Sequence, residues 1–504
     1  MSNDPPKRMK GIMVQGTSSD AGKSFIVTGL CRVLSDLGYK VAPFKSQNMS
    51  NNSYVTFDGK EIGRAQGVQA EAARALPSVY MNPILLKPMM DCRSEVILLG
   101  EVFRPMDGWQ YHKNFTMEKG LEVVNKAIGE LSKEYDTLVV EGAGSPAEVN
   151  LNDREIVNMR IASLLQMPVI LVTDIDRGGS FASLVGTVQL VGENRRFIKG
   201  VIFNKFRGDL SLLQDGLDWF EEYTGIPVVG VLPYLEDVNV EAEDAQSTSR
   251  LSRTKASDPV DIAIIALGRV SNNTDVEAFL SEDDVHIRIV RNPKQLGKPH
   301  AIIIPGTKST IDDLEELRRS GLEKAIIDHV GEGGIVFGIC GGYQILGGTI
   351  RDELGVDRKG SSEARGLGLL PVETNFESEK RVRRVAGSIT CERFKGLPVE
   401  GYEIHLGRSV RTGDGEDFAM IEGHPDGAVV KGGHVMGSYL HNVFHNDQFR
   451  NEWLNMVRER AGLPKKGMVD TFGSKERSLT RLADACRKNL DIEAIIRMLE
   501  APVQ

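Results

Sequence analysis

From Gly11 to about Tyr234 short apolar runs alternate with longer stretches whose apolar residues recur at helical spacing. The runs are GIMVQG from Gly11, DTLVVEGAG from Asp136, PVILVTDID from Pro168 and KGVIFNKF from Lys199. This is the strand-then-helix rhythm of a parallel sheet covered on both faces. Gly and polar residues cluster just after the runs, where open α/β sheets place their ligands. The stretch 236–258, EDVNVEAEDAQSTSRLSRTKASD, is polar, lacks aromatics and breaks the rhythm, so it is expected to be a linker. The rhythm resumes with VDIAIIALG, HAIIIPGTK and GGIVFGICGGYQ, and after Asn446 it turns helical with FRNEWLNMVRER and LTRLADACRKNLDIEAIIRMLE. The expected architecture is α/β: two doubly wound, mainly parallel-sheet domains, 1–235 and 259–445, with a C-terminal helical appendage over 446–504.

Composition changes this picture little. A chain of 504 residues with 41% hydrophobic and 26% charged positions can bury more than one core. The net charge of −9 argues against a surface built to neutralise nucleic-acid phosphates, so small-molecule ligands are expected. No run is long and apolar enough to span a bilayer, and the opening MSNDPPKRMK carries no apolar signal core. Five scattered cysteines, Cys31, Cys92, Cys340, Cys391 and Cys486, make neither a disulfide framework nor a zinc cluster, which fits a reducing cytoplasm.

Two motifs carry chemistry. Gly16-Thr17-Ser18-Ser19-Asp20-Ala21-Gly22-Lys23-Ser24 follows a strand and opens a helix, so its backbone N–H groups converge as a phosphate nest. Lys23 adds a cation for the outer phosphates of ATP, and the Ser24 hydroxyl suits Mg2+. The loop has one residue more between its glycines than the standard phosphate-loop spacing. Glu141, at a strand end, is a second candidate magnesium ligand, and Asn204, after another strand, could read an adenine edge. Gly16, Thr17, Asp20, Gly22, Lys23, Ser24 and Asn204 are therefore the expected nucleotide contacts.

Gly338-Ile339-Cys340-Gly341-Gly342 has small residues on both sides of a nucleophile, as a tight strand-to-helix turn requires. Cys340 is the expected nucleophile, with the backbone at Gly341 and at Gly306, in the Pro305–Lys308 turn, as oxyanion donors. Nine histidines compete for the role of base. His441, directly after VMGSYL, is preferred, with His405 in GYEIHLG as runner-up. An ATP site and a cysteine acyl-transfer site on one chain suggest a joint reaction. A carboxylate is activated as an acyl phosphate, and glutamine supplies ammonia through a thioester.

The loop GTSSDAGKS resembles that of the dethiobiotin synthetase group, and GICGGYQ with YLH resembles the class I glutamine amidotransferases. Their fusion in this order is similar to the pair of cobyric acid synthases and cobyrinic acid a,c-diamide synthases. Within that pair KSQNMSNNS, MNPILLKP, DIDRGGSFASLVGT, NKFRGD and GYEIHLG resemble the cobyric acid synthase family over nearly the whole chain. The resemblance implies ATP- and glutamine-dependent amidation of the b, d, e and g carboxylates of adenosylcobyrinic acid a,c-diamide, with Mg2+. It makes Lys45, Gln47, Asn48, Asn51 and Asn52 candidates for the corrinoid pocket, and places Asp174, Asp176 and Arg177 near phosphate or substrate without a role. Many class I amidotransferases carry Glu two residues after the catalytic His. Val443 stands there in this chain, so a Cys340–His441 dyad is expected, with the group orienting His441 open. An a,c-diamide synthase, a regulatory ATPase with an inactive glutaminase, and a corrinoid-binding protein without turnover are the alternatives.

Overall fold

The computed structural model describes residues 9–89, 93–235, 238, 259–358 and 360–501, with the side chains of 114 and 273 outside the description. The stretch 236–258 expected as a linker lies outside the described residues apart from Val238, as does Cys92. The chain divides into two compact units, 1–56 with 60–243 and 475–504, and 57–59 with 244–474.

In the first unit six strands form one parallel sheet: β1 (Lys10–Gly16), β2 (Val41–Phe44), β3 (Thr137–Glu141), β4 (Val169–Asp174), β5 (Ile198–Phe206) and β6 (Val228–Pro233), in the order β6-β5-β4-β1-β3-β2. Alternate side chains of each strand face opposite ways. Met13, Leu138, Val140, Leu171 and Phe203 enter one core, and Ile12, Val14, Val139, Val172 and Ile202 the other. That two-sided burial is why the strands read as continuous apolar runs. Helix α1 (Lys23–Asp36) leaves the loop after β1. A four-stranded side sheet, led by 47–49 and 84–88, and helix α2 (Arg64–Ala72) lie between β2 and β3 in the chain.

The second unit is built on β7 (Val260–Ile265), β8 (Val285–Val290), β9 (Ala301–Ile304), β10 (Ile335–Ile339), β13 (Ala428–Val430) and β14 (Val435–Ser438), ordered β8-β7-β9-β10-β14-β13 and parallel except for the β13–β14 pair. Helix α3 (Thr310–Ser320) follows β9, and the six-residue helix α4 (Gly341–Leu346) follows β10. A second sheet carries the long antiparallel pair β11 (Val372–Ile389) and β12 (Pro398–Arg411).

The C-terminal helices do not form one appendage. Helix α5 (Asp447–Arg460) belongs to the second unit, where fully buried Arg450 and Arg458 pair with Glu282 and Asp284 at 2.9 Å each. Helix α6 (Thr471–Asn489) belongs from Lys475 onward to the first unit, as does α7 (Ile492–Glu500). Leu479, Leu482, Cys486, Ile495 and Leu499 fill the core on the α1 face of the first sheet. Their closeness is such that a Cβ at Gly29 would collide with the Cys486 sulfur, and Arg32 of α1 pairs with Glu476 at 2.9 Å.

Candidate functional site

The first site forms at the carboxyl ends of β1, β3, β4 and β5. Gly22 has φ 100°, and a Cβ there would collide with the Asn204 amide, so the loop needs glycine twice over. Asn204 Nδ2 donates to the Ala21 carbonyl at 3.0 Å. Its amide nitrogen therefore helps tie down the loop. Lys23 Nζ donates to the carbonyls of Ser18 and Gly144 at 3.0 and 2.9 Å, holding its charge across the nest. Thr17 is fixed by its N–H to Val172 and its hydroxyl to Thr173. Beside the loop, Lys205 bridges the Asp20 carbonyl and the Asp174 carboxylate, 2.7 Å to each, and Arg177 lies 3.5 Å from both Asp20 and Asp174. Asp176 pairs instead with Arg207 at 3.2 Å.

Glu141 is buried and receives three donors: Ser24 Oγ at 2.8 Å, Lys45 Nζ at 2.9 Å, and Gln69 Nε2. Ser24 and Glu141 are adjacent hard oxygens, a donor set that fits magnesium. No group of three or more His, Cys, Asp or Glu side chains suited to a metal occurs among the described residues.

From Glu141 an amide chain runs inward through Gln69 and Gln66 to Asn48, whose Nδ2 donates to Gln66 at 2.9 Å. Gln47 accepts from the Tyr111 hydroxyl at 2.6 Å. Lys45, Asn48 and Asn52 are buried, and Gln47 and Asn51 are partly exposed. Gln66, Gln69 and the buried Glu61–Lys87 pair escaped the sequence reading. Polar residues on the inward face of α2 have no apolar periodicity to reveal them.

The second site forms at the carboxyl ends of β7, β9, β10 and β14. Cys340 is held at φ 51° and ψ −108°, the strained backbone that a nucleophile elbow requires. The flanking glycines are required: a Cβ at Gly342 would collide with the Ile304 carbonyl and one at Gly338 with the Gly342 carbonyl. Cys340 Sγ lies 3.5 Å from the Ile404 carbonyl. Burial pushes the thiols of Cys31, Cys391 and Cys486 upward, and these have the character of inert core residues.

His441, Gly306 and Gly341 gather around Cys340. A Cβ on Gly306 would come 3.1 Å from His441 Cε1, and one on Gly341 2.9 Å from the Thr307 nitrogen. His441 is fully buried, and its ring stacks on Tyr402 at 5.1 Å between centroids. Its Nδ1 lies 2.7 Å from Asp275 Oδ2. Burial by itself lowers the imidazole pKa, but Asp275 and Cys340 together raise it above its ordinary value. Among the described residues Nε2 makes no hydrogen bond of regular geometry; such bonds often close only when substrate arrives.

His405, the runner-up, is committed elsewhere. Its Nδ1 lies 2.7 Å from the Gly407 carbonyl, its ring stacks on Tyr439, and Nε2 is 3.7 Å from Glu403. One turn after Cys340, Gln344 links Thr310 at 2.9 Å to the Tyr439 hydroxyl at 3.1 Å, a polar group that sequence did not single out.

Residues 12–248 match the CobQ/CobB/MinD/ParA nucleotide binding domain and residues 261–449 the CobB/CobQ-like glutamine amidotransferase domain. A cobyric acid synthase of Geobacillus sp. is 49% identical over 96% of both chains. The chain belongs to the cobyric acid synthase family. Cobyric acid synthases of Geobacillus kaustophilus and Streptococcus sanguinis are 47% and 46% identical over 97% of this chain, and 97% and 99% of theirs. As a cobyric acid synthase family member the chain is a glutamine-dependent ligase of cobalamin biosynthesis that uses ATP. No described helix is long and apolar enough to cross a membrane.

Proposed function

We propose that this enzyme converts the b, d, e and g carboxylates of adenosylcobyrinic acid a,c-diamide to amides, one at a time at a single ATP site, giving adenosylcobyric acid. The reading is supported most by Lys23, Ser24 and Glu141 converging at one strand edge in a chain that also holds Cys340 beside His441.

Gly16, Thr17, Asp20 and Gly22 cradle the ATP phosphates, and Lys23 neutralises the outer ones. Ser24 and Glu141 would hold a magnesium ion, which when bound supplies positive charge against the phosphate oxygens. Lys45, Gln47, Asn48, Asn51 and Asn52 offer the corrinoid periphery a cation and a set of amides, a mixture suited to carboxylates and to carboxamides already formed. Transfer of the γ-phosphoryl group to a carboxylate oxygen gives an acyl phosphate. Ammonia displaces inorganic phosphate from it, leaving the amide. Cys340 Sγ attacks the carboxamide carbon of glutamine while Gly306 and Gly341 face the oxyanion. His441 takes the Cys340 thiol proton as sulfur attacks and gives it to the departing nitrogen, ammonia leaves, and water then cleaves the thioester to glutamate, restoring the thiol.

Mass spectrometry of the products tests this reading. From the a,c-diamide, four amide groups should be gained, with partly amidated species passing through solution and one ATP and one glutamine consumed per amide. A product stopping at two amides, made from cobyrinic acid itself, would assign the a,c-diamide synthase reaction and overturn the proposal.

A further inference from the structure

We infer that Asp275 is the positioning residue of the amidotransferase site, holding the His441 imidazole by Nδ1 so that Nε2 faces Cys340. The inference rests on His441 being the base.

Val443, two residues after the histidine, has no group that could accept its proton. Asp275 does: Oδ2 is 2.7 Å from His441 Nδ1, and Oδ1 accepts the Asn442 N–H at 2.8 Å. The two side chains are 0% and 1% exposed. Both carboxylate oxygens thus clasp the same turn, one by the ring and one by the next peptide, which fixes the ring's rotation as well as its tautomer. With the proton on Nδ1, the lone pair is left on Nε2, the nitrogen that must serve sulfur.

The backbone is arranged to hold this clasp. Asn442, the donor to Oδ1, has φ 63°, and Asn272, three residues before Asp275, has φ 56° and accepts the Asp275 N–H at 3.1 Å. The N–H of Ser271 bonds the Gly306 carbonyl at 2.9 Å, so the segment bearing Asp275 is tied to the turn lying against His441. Tyr402 closes the other face of the ring, and its backbone exchanges two hydrogen bonds with that of His441, at 2.9 and 3.4 Å. Asp275 follows β7, Cys340 follows β10 and His441 follows β14. The three groups therefore come from the segments that follow three strands of one sheet, with the acid first in the chain.

Full-length Asp275→Asn and Asp275→Glu test the inference through kcat and KM for glutamine hydrolysis, the rate of Cys340 alkylation by iodoacetamide, and ammonia-dependent amidation. Asn keeps the size of the side chain but reverses the donor pattern at Nδ1. Its kcat should fall by about 10²- to 10⁴-fold, with KM within about threefold, slower alkylation and unchanged ammonia use, and Glu should recover part of the loss. Asn retaining kcat within threefold, losing it through KM, or losing ammonia-dependent amidation equally would overturn the inference. His441→Ala, assayed beside them, separates this from the reading beneath it. Retained glutamine hydrolysis in that variant refutes the base and Asp275 with it, whereas retention in the Asp275 variants alone refutes only the positioning role.

Discussion

In the proposed reaction, replacing Cys340 with Ala removes the sulfur that would form the thioester but leaves the phosphate loop intact. Glutamine-driven amidation should vanish while ammonia-driven amidation persists. Retained glutamine-driven turnover would mean another nucleophile. Lys23→Ala should abolish amidation from either nitrogen source yet spare basal glutamine hydrolysis, because in the proposed reaction acyl phosphate formation precedes attack by any ammonia; normal ammonia-dependent turnover would remove Lys23 from the proposed ATP site. Glu403 makes a separate prediction about acid stability. Burial pushes its carboxyl up, but His405 and Arg383 outweigh this and hold it at about 2. A folded-state pKa below the unfolded one, about 4.3, stabilises the fold above that pH, and the contribution is lost as pH falls toward 2. Urea midpoints measured between pH 5 and pH 3 should therefore fall less steeply for Glu403→Gln; an unchanged slope would contradict the pairing.

The elements legible in sequence were those whose chemistry sits in one unbroken stretch. The phosphate loop and the cysteine elbow each follow a strand and are punctuated by glycines, so nine or five consecutive residues suffice to identify them. Asp275 lies 166 residues from His441 in the polar run SNNTD, where nothing local distinguishes a clasping carboxylate from a turn. Gln66 and Gln69 were hidden for the opposite reason, being polar at positions a helix buries. The glycines can be tested element by element. Gly342→Ala drives a methyl into the Ile304 carbonyl and should cost about 1–3 kcal/mol of stability in the second unit, with glutamine hydrolysis reduced. Gly186→Ala, on a helix with nothing within 4 Å of the new carbon, should instead stabilise by about 0.5–1 kcal/mol. Chemical denaturation distinguishes the two, and equal effects would mean that close approach at the elbow is not what requires glycine.

At the scale of the molecule, the helices after Asn446 were legible as helices but not as parts of two different cores. Amphipathic spacing shows that a face is buried without showing what buries it. Because Leu479, Leu482, Cys486, Ile495 and Leu499 fill the core against α1, removal of residues 475–504 should unfold the first unit, detected as lost ATP-dependent amidation and early proteolysis of that unit; a stable truncated ATPase would contradict this. The same return of the chain bears on biosynthesis. A ribosome delivers residues in order, and the core between α1 and the first sheet must wait for the last helices before it is complete. The unit that matches the amidotransferase domain is, in chain terms, an insertion within the unit that matches the nucleotide binding domain, so it is fully synthesised before the unit around it can finish folding.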